Sequence, residues 1–227
     1  MASWEAELWS YVGSGDGTKC PRNGVCPSRR EYGICPDRHK KQMKQSLDAL
    51  TSNLSDFDFI TGDSESNVSC RIFQLIEKLA TKYLQMGGVN TAPVPTRLIK
   101  LLDQGNAIET REVPLKSCYS ALWNDEDGWV IQLSSSVPTA VRRFSLFHEG
   151  FHILAHRRTI PVFQKRGSEV GNFNELLAGY FASCLLMPRN WLLESWSEKG
   201  NLAKIARHFI VTEATTYIRL RQFGLIR

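Results

Sequence analysis

The sequence has no apolar run that approaches the ~20 residues needed to cross a membrane. The opening residues, as far as Glu7, are acidic and lack the hydrophobic core of a secretory signal. These two absences argue against a membrane-spanning or secreted protein and predict a soluble intracellular one with no membrane partner. Internal repeats and low-complexity tracts are absent too. At 227 residues we therefore expect one folded domain with an appendage.

Cysteine is scarce, and its distribution does not match the disulfide framework of a small secreted domain. The chain has six cysteines, and three of them stand singly in apolar or strand-like settings: Cys70, Cys118 and Cys184. We expect these three to be buried as small apolar side chains.

The other three cysteines lie together near the amino terminus. Cys20, Cys26 and Cys35 are followed by His39, a Cys3His set suited to a structural zinc ion. The gaps between the cysteines exceed the usual spacing of about two to four residues. Three alternatives to a zinc site therefore remain: an iron–sulfur cluster, a redox-active group of cysteines, or cysteines with no shared role. The segment is rich in turn residues and poor in apolar ones, so it needs a metal or a cross-link to order it.

The same segment carries most of the chain's positive charge. From Lys19 to Lys44 eight basic side chains stand against two acidic ones, a formal +6 in a chain whose total is +5. A basic patch on a small metal module can bind nucleic acid. The alternative is that Lys40, Lys41 and Lys44 form a solvated helix face.

The most informative motif is an HExxH, which begins at His148 and ends at His152. Histidines four residues apart share one face of a helix, where both imidazoles can bind one metal ion. Glu149 is the expected general base, because its carboxylate can take a proton from water at that ion. A third histidine, His156, lies about 12 Å along the helix from His148 and is too far to ligate the same ion.

A catalytic zinc site needs a third protein ligand, and Glu175 is the better candidate. It opens a predicted second helix that Pro188 ends, after a turn-back loop at about residues 157–173. Ala178, Gly179 and Ala182 follow Glu175 on one face and let this helix approach the HExxH helix closely. The alternative is that Glu175 only supplies the acidic residue favoured in a first helical turn.

Two stretches together carry a family resemblance. They read Arg143-Phe144-(x)3-His148-Glu149-(x)2-His152 and Glu175-(x)2-Ala178-(x)2-Phe181-Ala182-(x)2-Leu185-Leu186-Met187-Pro188. This pattern resembles the ImmA/IrrE family of metallo-endopeptidases, which are gluzincin-like, over about residues 70–227. The resemblance implies a Zn2+ ion, with Mn2+ as the alternative, held by His148, His152 and Glu175. It also implies a helix-turn-helix repressor protein as substrate, whose cleavage derepresses stress or mobile-element genes.

The residue that stabilises the oxyanion is left open by the sequence. Tyr180, His208 and Arg143 are the candidates. Tyr180 lies five residues beyond Glu175, so packing in the core is favoured for it. His208 is more readily an exposed residue of a terminal helix.

The predicted fold class is α+β, with a small antiparallel sheet packed beside the helices of the zincin-like HExxH site and a Cys-rich amino-terminal appendage. Apolar spacing predicts these elements: helices at 4–12, 67–86 and 96–103, and strands at 108–113, 119–124 and 129–133, with a hairpin turn at 125–128. We divide the chain into a Cys-rich basic module (1–60), a metallopeptidase domain (61–200) and a closing segment (201–227).

The closing segment has helix-turn-helix spacing, with Thr212 as the cap of its second helix. In the family that the chain resembles, this region packs on the peptidase body, so the structural interpretation is favoured. The alternative is that Arg219, Arg221 and Arg227 dock an acidic or DNA-bound partner.

A second class of function stays open beside the peptidase. The chain could be a non-catalytic regulatory binding module whose Cys cluster senses metal or redox state. The intact Glu149 favours catalysis.

Overall fold

The structure is a computed structural model that describes residues 3–13, 64–115, 118–125, 127–156 and 169–226. Its elements, in chain order, are α1 (Ser3–Gly13), α2 (Ser64–Met86), a 3-10 helix (Thr96–Leu101), β1 (Ala107–Val113), β2 (Ser120–Asp125), β3 (Gly128–Ser134), α3 (Thr139–His156), α4 (Glu169–Leu186), α5 (Arg189–Lys199), α6 (Leu202–Phe209) and α7 (Glu213–Gln222). Cys20, Cys26, Cys35, His39 and the basic segment lie outside the described residues. The domain boundaries at residues 60 and 200 remain predictions.

The α+β class is confirmed, but the prediction of an antiparallel sheet is wrong for one strand. The three described strands lie in the order β1-β3-β2. β2 pairs antiparallel with β3, as the hairpin turn between Asp125 and Gly128 predicts, whereas β1 runs parallel to β3. The chain crosses from β1 to the far edge before it returns as the central strand. Alternation of apolar residues reports which face of a strand is buried, and carries no information on this pairing.

Gly128, at the start of β3, is required by a close approach of two strands. Its φ of 134° lies in a region that L side chains rarely adopt, and a Cβ there would stand 2.5 Å from the carbonyl oxygen of Ala107. The glycine therefore closes the hairpin and lets β1 pair alongside.

Helix α3 is the centre of the fold. Every residue from Arg143 to Ala155 is buried, because β2, β3, the 3-10 helix and α4 all pack against it. A Cβ on Gly150 would lie 2.4 Å from Leu102 Cδ1 and 2.7 Å from Ile99 Cδ1. Glycine inside the HExxH thus lets the 3-10 helix lie close against α3.

Helix α4 begins at Glu169, within the stretch of about residues 157–173 that was predicted to be a loop. The prediction of a loop as far as residue 173 is therefore wrong. Gly171 and Asn172 are weak helix formers and favoured a later start, but α4 packs against both α2 and α3, and tertiary packing outweighs that preference.

The isolated cysteines differ in their environment. Cys184 on α4 is buried, as expected, while Cys118 is only half-buried. The side chain of Cys70 lies outside what the structure describes. None of the described helices has the length and apolar character that crossing a membrane requires.

A buried polar network joins three helices. Glu77 Oε1 on α2 accepts a hydrogen bond from the Tyr180 hydroxyl at 2.9 Å and another from Arg219 Nη2 at 2.8 Å. The second contact is also an ion pair. The side chain of Arg219 is 1 % exposed. Burial raises the pKa of Tyr180, so its phenol stays a neutral donor. The network fastens α7 to α2 and α4.

Removing Glu77 should therefore destabilise the protein. Glu77→Ala leaves Arg219 buried without its counter-charge, which should lower the free energy of unfolding by about 3 kcal/mol. For a chain of this size the thermal midpoint should fall by about 6–12 °C. The matched control is Glu112→Ala. The side chain of Glu112 is 60 % exposed and pairs with Arg142, so its removal should change the free energy of unfolding little. Calorimetry that finds equal midpoints for the two variants would contradict this assignment.

The turn between α6 and α7 holds a strained residue. Ile210 has φ 53° and ψ 57°, the left-handed conformation that ends α6. Its carbonyl accepts a bond from Arg143 Nε at 3.3 Å, and Arg143 also donates to Val94 O at 2.7 Å. Arg143 thus secures α3 to both neighbouring loops, and Thr212 caps α7 as predicted.

Glycine at position 210 should relieve this strain. Left-handed backbone costs a residue with a Cβ about 1–2 kcal/mol, and glycine is preferred at this position after a helix. The free energy of unfolding of Ile210→Gly should therefore exceed that of Ile210→Ala by about 1 kcal/mol. The glycine variant should also unfold at the higher temperature. The alanine variant removes the same 37 % exposed side chain and keeps the strain. A glycine variant no more stable than the alanine variant would show that the turn is unstrained.

Candidate metal centre

Three buried side chains from two helices converge on one point. His148 Nε2 lies 3.1 Å from Glu175 Oε2, and His152 Nε2 lies 3.2 Å from His148 Nε2 and 3.4 Å from Glu175 Oε1. All three residues are buried. They form a group that could hold a metal ion, found among the residues that the structure describes.

The two helices meet as the small residues predict. His148 and His152 lie one turn apart on α3, so both rings project toward α4. Ala178 and Ala182 on α4 are fully buried, and their short side chains let the helices pack closely. The carboxylate of Glu175 reaches both imidazoles for this reason.

The electrostatics of Glu175 keep it ionised. Burial raises the pKa of this carboxyl, but His152 and His148 beside it outweigh the effect and hold its pKa well below its usual range. A buried carboxylate requires a compensating positive charge. A divalent cation between these three groups would supply that charge.

The arrangement of donor atoms fits a metal ion. Two imidazoles and one carboxylate are the ligands of a common class of catalytic zinc site. A tetrahedral site with bonds of ~2.0–2.1 Å has ligand–ligand edges of about 3.3 Å. The two imidazole nitrogens lie 3.2 Å apart, close to that edge length, and each of them has a different oxygen of Glu175 within 3.4 Å. The side chains are therefore already spaced for such an ion.

Glu149 follows His148 on α3 and is held by a residue that the sequence analysis missed. Its Oε1 accepts a hydrogen bond from Ser120 Oγ at 2.8 Å, and both residues are 0 % exposed. Ser120 is the first residue of β2. A serine at the start of a strand carries no signal in a single sequence, and only the packing of β2 on α3 reveals the contact.

The other predicted site residues lie elsewhere. His156 is exposed, with its ring against Trp129 at 5.1 Å, and is not part of the cluster. The Tyr180 hydroxyl donates to Glu77 in the polar network described above. His208 is exposed on α6. Arg143 is committed to two backbone carbonyls. The structure thus brings none of them into the His-His-Glu cluster, and the oxyanion stabiliser stays a prediction.

The closing segment forms the predicted pair of helices, but its arginines do not form one basic face. Arg219 is buried against Glu77, Arg221 is half-buried, and Arg227 lies outside the described residues. Helix α7 also begins with an acidic residue, Glu213. Within the described part of the chain, these features favour packing over contact with nucleic acid.

Comparison with known families decides the relationship. The model of the Peptidase_M78 family, described as an IrrE N-terminal-like domain, matches residues 107–221, which is half of the chain. The chain belongs to this family. The match runs from β1 into α7 and includes His148, Glu149, His152 and Glu175. Peptidase_M78 membership thus coincides with the part of the fold that carries the cluster.

A solved structure shows a more distant likeness to this Peptidase_M78 member. It is a Mycobacterium tuberculosis transcriptional regulator, with 15 % identity and a TM-score of 0.47, and the match covers 81 % of this chain and 52 % of the regulator. The chain therefore spans about half the length of that protein. No curated protein matches the sequence significantly.

Proposed function

We propose that the protein is a metal-dependent endopeptidase in which His148, His152 and Glu175 bind Zn2+ and Glu149 is the general base. The observation that carries the proposal is the convergence of two imidazoles and a carboxylate that could hold a metal ion, with the buried Glu149 next to His148 in the chain. Membership of a peptidase family supports it. Mn2+ is the alternative ion.

The proposed chemistry is hydrolysis of a peptide bond. A bound divalent ion would lower the pKa of water and polarise the scissile carbonyl. Glu149 then takes the proton from the attacking water and passes it to the leaving amine. Glu175 contributes negative charge to the metal centre. The buried setting strengthens each of these interactions, because little water competes for them.

We propose a helix-turn-helix repressor as the substrate and the cytoplasm as the location, with derepression of stress or mobile-element genes as the outcome. The support is the sequence resemblance described above. A second metal in the Cys20, Cys26, Cys35 and His39 set, and contact between the basic segment and nucleic acid, are further parts of this proposal. They concern residues outside the described structure.

The proposal can be tested with a peptide library. Zinc-loaded protein is incubated with a proteome-derived library of blocked peptides and with purified helix-turn-helix repressors, and mass spectrometry identifies new amino termini. We expect cleavage by the wild type, and none after chelation or in Glu149→Gln. If the loaded wild type generates no new termini in either set, the peptidase proposal fails and the binding-module alternative is favoured.

A further inference from the structure

The hydrogen bond between Ser120 and Glu149 joins the sheet to the proposed base. Ser120 Oγ donates to Glu149 Oε1 at 2.8 Å across 29 positions of sequence. Both residues have no solvent exposure. A hydroxyl that donates to a carboxylate in such a setting forms a charge-assisted hydrogen bond, which is stronger than a neutral one.

Ser120 is well placed to fix the orientation of this carboxylate. Its backbone lies in the sheet, paired with Leu133 of the central strand. The neighbouring Tyr119 carbonyl accepts a further bond from Ser134 N at 2.8 Å. A serine side chain has a single heavy-atom torsion, so its hydroxyl is held almost as firmly as the strand itself. Glutamate, by contrast, has three torsions to restrain.

We infer that Ser120 is a positioning residue for Glu149: it holds Oε1 and so sets the carboxylate in the orientation from which it transfers a proton. This inference rests on the proposed function, because it assigns a role in the same reaction. Ser120 acts through Glu149 and has no assigned contact with substrate. Sites built on strands and helices hold such orientations more accurately than sites on loops.

The role predicts a specific kinetic signature. A misoriented base slows proton transfer without changing how substrate binds. Ser120→Ala should therefore lower kcat about 10- to 100-fold, the usual effect of losing a supporting hydrogen bond in a metal site. The KM and the metal content should stay within about twofold of the wild type. Ser120→Thr keeps a hydroxyl and should recover most of the lost kcat.

The chain provides a matched control. Ser145 on α3 is also 0 % exposed, and its hydroxyl has no hydrogen-bond partner among the residues that the structure describes. Ser145→Ala removes the same atom from an equally buried serine three positions before His148, but breaks no such contact. It should leave kcat within about twofold of the wild type.

The experiment measures kcat and KM for wild type, Ser120→Ala, Ser120→Thr and Ser145→Ala on the library peptide that is cleaved fastest. Zinc content and thermal midpoint are recorded for each variant, so that only folded, loaded protein is compared. A low kcat in Ser120→Ala alone, restored in Ser120→Thr, supports the inference. Wild-type kcat in Ser120→Ala, or an equal loss in Ser145→Ala, overturns it while the peptidase proposal stands. An inactive wild type defeats both.

Discussion

Glutamine in place of Glu149 is expected to lower kcat by about 10²- to 10⁴-fold, the range that general acid–base catalysis contributes. The amide has the shape of the carboxylate and can still accept a hydrogen bond from Ser120 Oγ, which lies 2.8 Å from Oε1. It cannot accept a proton from water. The loss should therefore come from chemistry alone, with zinc content and thermal midpoint close to those of the wild type.

The measurement is single-turnover cleavage of the best library peptide, with Glu194→Gln as the control. Glu194 is an exposed glutamate on α5, so the same change there should leave the rate unaltered. A Glu149→Gln protein that keeps more than about a tenth of the wild-type rate would show that another group is the base.

Alanine in place of His148 should weaken metal binding by on the order of 10³-fold or more, since losing even a supporting partner costs about 10- to 100-fold. His148 is 0 % exposed, and its Nε2 lies within 3.2 Å of both other donors. Two donors remain after its removal, too few to hold the ion firmly. Competition with a chromophoric chelator gives the affinity directly.

His156→Ala is the matched control for this loss. His156 stands on the same helix, one turn beyond the second motif histidine, but it is exposed and outside the cluster. Its removal should leave the zinc affinity unchanged. An equal loss of affinity in both variants would contradict the assigned ligand set.

The candidate site follows from sequence because its main constraint is local. Histidines four residues apart on a helix must share a face, so the sequence alone predicts that His148 and His152 lie together. The assignment of Glu175 needed one more inference. The small residues on its helix predicted that the two helices pack closely, which brings Glu175 to the histidines. The structure groups all three.

What the sequence could not predict depends on contacts between distant segments. The parallel pairing of β1 is decided by the path of the chain across the sheet, and the start of α4 by packing that outweighs weak local propensity. The roles of Ser120 and Gly150 depend on the packing of β2 and the 3-10 helix against α3, which the sequence does not reveal. The sequence indicates a surface charge at Arg219 on α7, but the structure places this side chain buried against Glu77.

The central claim is that two histidines and a glutamate bind a metal ion independently of the amino-terminal cysteines. X-ray absorption at the zinc edge tests it, on the 227-residue protein with Cys20, Cys26 and Cys35 replaced by serine. We expect this variant to keep one zinc, surrounded by imidazole nitrogen and carboxylate oxygen at about 2.0–2.2 Å. Loss of the zinc, or a shell of sulfur at about 2.3 Å, would contradict it.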